Sequence, residues 1–182
     1  DPLTGLYNRR VLPRALADVQ QRFSATGQPV YLIMMDLDHF KELNDRYGHD
    51  AGDRVLRDFA QILLRHCRPG DVCLRYGGEE FAMLVEVQSE AQALGIAERI
   101  RERFAAQPTL YLGQEITHTL TAGLAPILSE HRRVVPDDIF READMALYRA
   151  KAEGRNRSVV FATGAADGLD SQPEPGQLQS EG

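Results

Sequence analysis

The chain has no tryptophan and only two cysteines, Cys67 and Cys73. Two thiols are too few to staple a domain of this length, and their spacing matches neither a zinc knuckle nor a CxxC redox pair. They read as buried or idle thiols in a reducing compartment. Basic residues are outnumbered, 21 Lys and Arg against 27 Asp and Glu, for a net charge of -6. That balance argues against a broad nucleic-acid-binding surface, although it leaves room for a small basic pocket that takes phosphates. No apolar run is long enough for a membrane span, and no secretory signal opens the chain, so no direct membrane insertion is expected. Walker-type loops, the Rossmann fingerprint and HExxH are all missing, which removes the standard nucleotide-fold and metalloprotease readings. The five histidines show no ligand spacing, and there is no internal repeat. The chain begins at Asp1 rather than Met and is read as a piece of a longer protein.

What is present is ordinary in bulk. An apolar fraction of 43% and a charged fraction of 26% suit one globular domain with a real core. Asp1 to Asn8 is dense in turn formers and reads as an ordered loop. Asn8 is a plausible N-cap for a helix reaching about Ser24, with Leu12, Ala15, Leu16, Val19 and Phe23 inward; Pro13 is late for that start. Tyr31 to Met35 is a continuous apolar run, read as a strand buried on both faces and ending in Asp36-Leu37-Asp38. His39 to Tyr47 has helical spacing, Gly48 to Asp53 breaks it, and a second helix runs to about His66, capped by Asp50 or Asp53. Arg68-Pro69-Gly70-Asp71 is a turn. It feeds a hairpin whose strands, Val72 to Leu74 and Phe81 to Val85, are joined through Gly77 and Gly78. A helix follows over about 90–106, then strands at Leu110–Thr117 and Leu120–Ala125. Glu130 to Val135 reads as polar loop. The last helix begins near Pro136, with Asp137 and Asp138 favoured by its dipole, and stops at Gly154. Ser158–Phe161 is a short final strand. Residues 1–162 make one domain of mixed α/β type, and 163–182 read as a disordered Gly/Ser/Gln/Pro/Glu-rich tail.

The functional signal lies in the acids. Glu79 and Glu80 are adjacent at the hairpin turn, where they repel one another and serve no purpose that a turn needs. Hard divalent cations prefer carboxylate oxygen and would relieve that repulsion. Asp36 stands directly after a buried strand, at the edge where open α/β sheets place ligands; Asp38 reads as a strand end or helix cap. Lys151 and Arg155, four apart at the end of the last helix, are placed on one face, where they could neutralise phosphate oxygens. Asn44 and Asp53 fall near the same strand end. A carboxylate there can accept from guanine's ring N–H and exocyclic amine together, a donor pair adenine lacks. Metal, phosphate cations and a guanine reader together indicate GTP.

These residues stand in a recognisable order. Asp1-Pro2-Leu3-Thr4-Gly5-Leu6-Tyr7-Asn8-Arg9-Arg10, Asp36-Leu37-Asp38-His39-Phe40-Lys41, Asn44-Asp45, Gly48-His49 and Gly52-Asp53 come first. The signature Gly77-Gly78-Glu79-Glu80-Phe81 follows, then Ala143-Asp144 through Ala146-Leu147-Tyr148 to Lys151 and Gly154-Arg155-Asn156. The chain resembles a GGDEF domain, the catalytic domain of bacterial diguanylate cyclases, across nearly all of Asp1 to Phe161, with the Glu form of the signature. The resemblance implies a central, mainly antiparallel sheet wrapped by helices, similar to the palm of nucleotidyl cyclases and polymerases. It implies a homodimer in which two GTP become cyclic di-GMP and two pyrophosphates. Asp36 and Glu79, with the Leu37 carbonyl, would hold Mg²⁺ (or Mn²⁺); Glu80 would serve catalysis or help hold metal. Asn44 and Asp53 would read guanine, with Leu56 lining the base pocket. Phe40 and Lys41 would present their loop to the phosphates, Lys41 also among the catalytic groups. Gly78 would allow close approach, and Lys151 and Arg155 would bind phosphate. Arg68 and Asp71 match the family's RxxD product-inhibition site, with Arg99 as its secondary arginine; without that match the turn reads as an Arg–Asp pair. A sensor or receiver domain is expected to precede the chain. GTP supply and the thiols indicate a cytoplasmic site, with a membrane-anchored parent open. The alternatives are a silent GGDEF domain that binds GTP or cyclic di-GMP without turnover, and a cyclase making a mixed adenine–guanine product.

Overall fold

The computed structural model describes residues 1–129, 132–133 and 139–162. The apolar run of the first half forms β2 (Val30–Leu37), preceded by β1 (Tyr7–Asn8) and α1 (Leu12–Thr26). Then come α2 (Phe40–Tyr47), α3 (His49–His66), β3 (Val72–Arg75), β4 (Glu80–Glu86) and α4 (Glu90–Ala105). The second half holds β5 (Thr109–Tyr111), β6 (Gln114–Ile116), β7 (Leu120–Ser129), β8 (Arg132–Arg133), α5 (Ile139–Ala152) and β9 (Ser158–Val160).

The main sheet runs β1-β3-β4-β2-β7-β8, with β9 also paired to β7. β1 with β3 and β7 with β9 are parallel, and the other pairs are antiparallel. β2 is therefore central, hydrogen-bonded to β4 and β7, and Val30 to Met35 are all buried. Side chains alternate across a strand. Ile33, Met35, Phe81 and Met83 join Phe59, Leu63, Ile100 and Phe104 from α3 and α4 on one face. Leu32, Met34, Ala82 and Leu84 join Ala15 and Val19 of α1 and Ala143 and Leu147 of α5 on the other. The fold is a helix–sheet–helix sandwich, as the resemblance implied.

Several local expectations change. Asn8 does cap, accepting from Arg10 N, but what it caps is a single 3₁₀ turn, Arg9–Val11; α1 starts at Leu12, which puts Pro13 in the first turn where its missing N–H costs nothing. Neither Asp50 nor Asp53 caps α3: Gly48 is its N-cap, and Asp50 lies inside the first turn. The strand expected over Leu110–Thr117 is a hairpin, because Leu112 and Gly113 both take positive φ (47° and 78°) and reverse the chain. Within the stretch read as polar loop, Arg132–Arg133 pairs with β7. Pro136, Asp137, Asp138 and the tail 163–182 lie outside the described residues.

Candidate active site

The antiparallel pairing of β2 and β4 brings Asp36 directly opposite Glu80. Just beyond that register Leu37 N donates to Glu79 O at 3.3 Å, so both signature acids are pinned to the end of the buried strand. On the face of the sheet that α5 covers, that helix contributes Lys151, whose Nζ is 2.8 Å from Asp36 Oδ2. Burial first, then the carboxylates of Asp36 and Asp144, push the Glu80 carboxyl above its ordinary value, with Lys151 pulling the other way. Burial likewise raises Asp144, again opposed by Lys151. Asp144, to which the sequence pattern assigns no role, is a further member of this cluster. Its signal was the spacing Asp144 to Lys151, two turns of one helix.

The turn that carries the acids is held from inside. Arg75 Nε and Nη2 donate to Gly78 O at 3.1 and 2.7 Å, and Nε to Gly77 O at 3.2 Å; Nη1 pairs with Asp1 Oδ2 at 3.3 Å. Asp1 Oδ2 also accepts from Thr4 N and Oγ1. The first loop of the chain is thus latched to the signature turn through one guanidinium, a link that no local pattern announces. Space around an added Cβ at Gly78 is open, so a ligand can reach the backbone there.

α2 opens with no side-chain cap, and His39 before it is left-handed (φ 56°). Its first turn, without a side-chain cap, could receive an anion on its N–H groups, and carries exposed Lys41 beside the acid Glu42. The Phe40 side chain is buried in the core, so its contribution to that loop is its backbone. Leu56 is buried as well, at 2% exposure, which makes it an apolar floor at most. Asn44, on α2, faces Gly52 of α3. A Cβ on Gly52 would stand 1.9 Å from Asn44 Oδ1, and that oxygen is buried without a hydrogen-bond partner. A buried orphan acceptor is costly unless something fills it. Asp53 is part-exposed on α3, with Arg57 Nη2 3.9 Å from its Oδ2.

Lys151 and Arg155 are not neighbours on one helical face. α5 ends at Ala152, Gly154 turns the chain (φ 116°), and Arg155 and Asn156 follow in left-handed conformation (φ 60° and 46°). Asp38 does not cap a helix either; it is buried and accepts from Thr119, Thr121 and Asn156. In the RxxD turn the expected Arg–Asp pair is made by backbone: Arg68 N donates to Asp71 Oδ2 at 2.9 Å, and Asp71 N to Arg68 O at 3.0 Å. The Arg68 residue is exposed, as is Arg99 on α4. Cys73 is buried and Cys67 half-buried, both free.

Among the described residues no three acidic, histidine or cysteine side chains are drawn together closely enough to hold a metal ion as they stand. The donor chemistry nevertheless fits a hard divalent cation, which prefers carboxylate oxygen: Asp36 faces Glu80 across the strand pair, and Asp36 and Asp144 lie near enough to Glu80 to raise its affinity for a proton. No helix among those residues is long and apolar enough to cross a membrane.

The comparisons agree with this geometry. A family model described as "Diguanylate cyclase, GGDEF domain" matches residues 1–157. Response regulator PleD of Caulobacter vibrioides is 41% identical over 161 residues, covering 87% of this chain and 35% of that protein. Diguanylate cyclase DgcP of Pseudomonas aeruginosa is 39% identical over 160 residues, covering 88% and 23%. The chain therefore spans about a third or less of these curated relatives. Among solved structures, the GGDEF domain of DgcB from Caulobacter crescentus, in complex with c-di-GMP, superposes with a TM-score of 0.81 at 30% identity, covering 90% of this chain and 93% of that one. The active GGEEF domain of a diguanylate cyclase from Vibrio cholerae gives 0.74 at 34%, covering 86% and 97%. With a sandwich of that architecture, acids facing one another across β2 and β4, and a family match over residues 1–157, the chain belongs to the GGDEF domain family of diguanylate cyclases.

Proposed function

We propose that this domain condenses two GTP into cyclic di-GMP, releasing two pyrophosphates. The observation that carries the reading is the convergence on one strand end of Asp36 and Glu80, in register, with Lys151 against them. Acids and a cation around one point suit a triphosphate whose charge must be both neutralised and oriented. Asp36, the Leu37 carbonyl, Glu79 and Glu80 would hold Mg²⁺ or Mn²⁺, which would supply charge neutralisation at the α-phosphate and a lowered pKa for the attacking hydroxyl.

The chain's own groups do the rest. Asn44 and Asp53 receive the guanine edge, the Asn44 amide turning from its packing against Gly52 to do so. The N-terminus of α2, with Lys41, faces phosphate oxygens, and Lys151 and Arg155 add cations. Glu80 would take the proton of the 3′-hydroxyl as that oxygen attacks the α-phosphate of the facing GTP and pyrophosphate leaves. Each site holds one nucleotide, so a homodimer is required, and much of the acceleration is positioning. Arg68 and Asp71, with Arg99, would bind the product and slow turnover; the exposed Arg68 leaves a guanidinium to offer. A regulatory domain elsewhere in a longer chain would control dimerisation.

A second reading is a domain that binds GTP or cyclic di-GMP without turnover. The hold of Lys151 on Asp36 favours it to the extent that metal is kept out. Chromatography of products from purified protein with GTP and Mg²⁺, at several protein concentrations, separates the two. Cyclic di-GMP forming faster than linearly with protein supports the dimeric enzyme. Cyclic di-GMP binding with no product, even after forced dimerisation, supports the second reading.

A further inference from the structure

Asp38 lies two residues beyond Asp36, yet its carboxylate turns inward and is 6% exposed. Its Oδ1 accepts from Thr121 Oγ1 at 2.6 Å, and its Oδ2 from Thr119 Oγ1 at 2.7 Å and from Asn156 N at 3.2 Å. Thr121 Oγ1 also accepts from Asn156 N, at 3.0 Å. A buried carboxylate that receives hydroxyl and amide protons from three residues is a fixed charge-assisted clamp. What it clamps is the loop after α5. Arg155 and Asn156 are consecutive left-handed residues, a conformation that side chains disfavour and that surroundings must impose.

The loop is tied to the rest of the fold at further points. Arg155 N donates to Ala150 O at 3.1 Å, Ala122 N to Arg157 O at 2.9 Å, and Arg101 Nη1 to Asn156 Oδ1 at 2.9 Å, Arg101 itself being paired with Glu98. These further ties set the ends and the side of the loop. Of all these ties the Asp38 clamp is the one that joins the loop backbone, one residue after Arg155, to the end of the strand that carries Asp36, sharing the Asn156 amide with Thr121 of β7.

We propose that Asp38 is a positioning residue for Arg155. By fixing the Asn156 amide against the end of β2, it holds Arg155 in the left-handed conformation that aims the guanidinium at a nucleoside triphosphate bound beside Asp36. The proposal rests on the reading of Arg155 as a phosphate-binding group. Asp38 does not touch the nucleotide. Its removal frees the phosphate-facing cation and leaves the guanine pocket on α2 and α3 as it was.

The test is calorimetric titration of the chain, in Mg²⁺, with guanosine and with the α,β-methylene analogue of GTP, which cannot release pyrophosphate. Asp38→Asn keeps the shape but removes the negative charge and one of the two acceptor oxygens of the clamp. Its affinity for the triphosphate analogue should fall by about tenfold, the scale of one charge-assisted hydrogen bond, while guanosine affinity stays as in wild type. In an Arg155→Ala background the same substitution should change triphosphate affinity by less than about twofold, since coupled residues do not add. Equal losses for both ligands, or an undiminished loss without Arg155, overturn the proposal. If Asp38→Asn does not fold, Thr121→Val removes one hydroxyl of the clamp and must show the same ligand selectivity and the same dependence on Arg155. Wild-type protein that binds guanosine but gains nothing from the triphosphate overturns the phosphate role of Arg155 and the proposal with it. Wild-type protein that binds neither ligand overturns the functional reading itself.

Discussion

Lys151 Nζ lies 2.8 Å from Asp36 Oδ2, with Asp36 the more buried of the two. One ammonium thus occupies the carboxylate that is expected to receive a metal. A cation at that distance competes with a metal ion for the carboxylate's lone pairs. Lys151→Ala is expected to abolish most cyclic di-GMP formation, since the triphosphate loses a cation. In the absence of nucleotide, the same variant should bind Mn²⁺ as well as wild type or up to about fivefold more tightly, on the scale of one partly exposed ion pair. Metal titration followed by electron spin resonance reads this directly; weaker metal binding by the variant would contradict it.

Gly52 and Asn44 form a second such pair. A methyl on Gly52 would stand 1.9 Å from Asn44 Oδ1 and 3.1 Å from Phe40 Cζ. Gly52→Ala should therefore displace the Asn44 amide and lower affinity for GTP by about tenfold or more, as for one lost hydrogen bond. Ala is about 1 kcal/mol better than Gly in a helix, which offsets part of the crowding, so the variant should remain folded. Calorimetry with GTP against far-ultraviolet circular dichroism separates the two effects. Unchanged affinity would remove Asn44 from base recognition.

Gly123, on β7, lets α5 approach the sheet. A Cβ there would meet Ala143 O at 2.2 Å, Leu147 N at 2.3 Å and Leu147 Cα at 2.7 Å, all backbone atoms that no rotamer change can move. Gly123→Ala is expected to cost about 2 to 3 kcal/mol, as overpacking does, and to lower the Tm by roughly 5 to 10 °C. Because α5 carries Asp144 and Lys151, activity should fall well below the melting range. Thermal unfolding and initial rates at 25 °C would check both.

His118 is a buried histidine with no place in the site. It stacks on Phe104 at 3.8 Å between ring centroids, and its Nε2 meets Thr109 Oγ1 at 3.0 Å. Burial lowers its pKa to about 4. The folded state keeps the ring neutral while the unfolded chain takes a proton near pH 6.5, so stability is lost as pH falls from about 6.5 to 4. That loss is on the order of 3 kcal/mol at the acid end. Urea unfolding at pH 7, 5.5 and 4.5 should show a steeper decline in wild type than in His118→Gln; parallel curves would exclude His118 as the source.

The Arg68 residue is exposed, while Asp71, its carboxyl raised by burial, accepts from the Arg68 amide. Arg68→Ala leaves those backbone bonds in place. It should raise the cyclic di-GMP concentration needed for half-inhibition by about tenfold, the scale of a charged hydrogen bond, with little change in initial rate. An inhibition curve identical to wild type would remove the regulatory role.

Much of this protein was legible in one dimension. β2 was readable because a strand buried on both faces must be apolar throughout, and α1, α3 and α4 because a helix with one buried face repeats its apolar residues at helical spacing. The signature acids could be picked out because adjacent carboxylates at a turn have no local reason to be there. Local pattern failed where a backbone conformation overrode it: Leu112 and Gly113 turn a strand into a hairpin, and Gly154 carries Arg155 off the helical face that its spacing suggested. It could not reach contacts made across the fold. Asp36 against Glu80, Arg75 against Asp1 and Gly78, and Asp38 against Asn156 join residues far apart in the chain. Sequence alone determined which elements form and which chemical groups are available, since propensity and burial act over a few neighbouring residues. Only the tertiary structure decided which of those groups meet, because strand register and helix docking are set by the packing of the whole core.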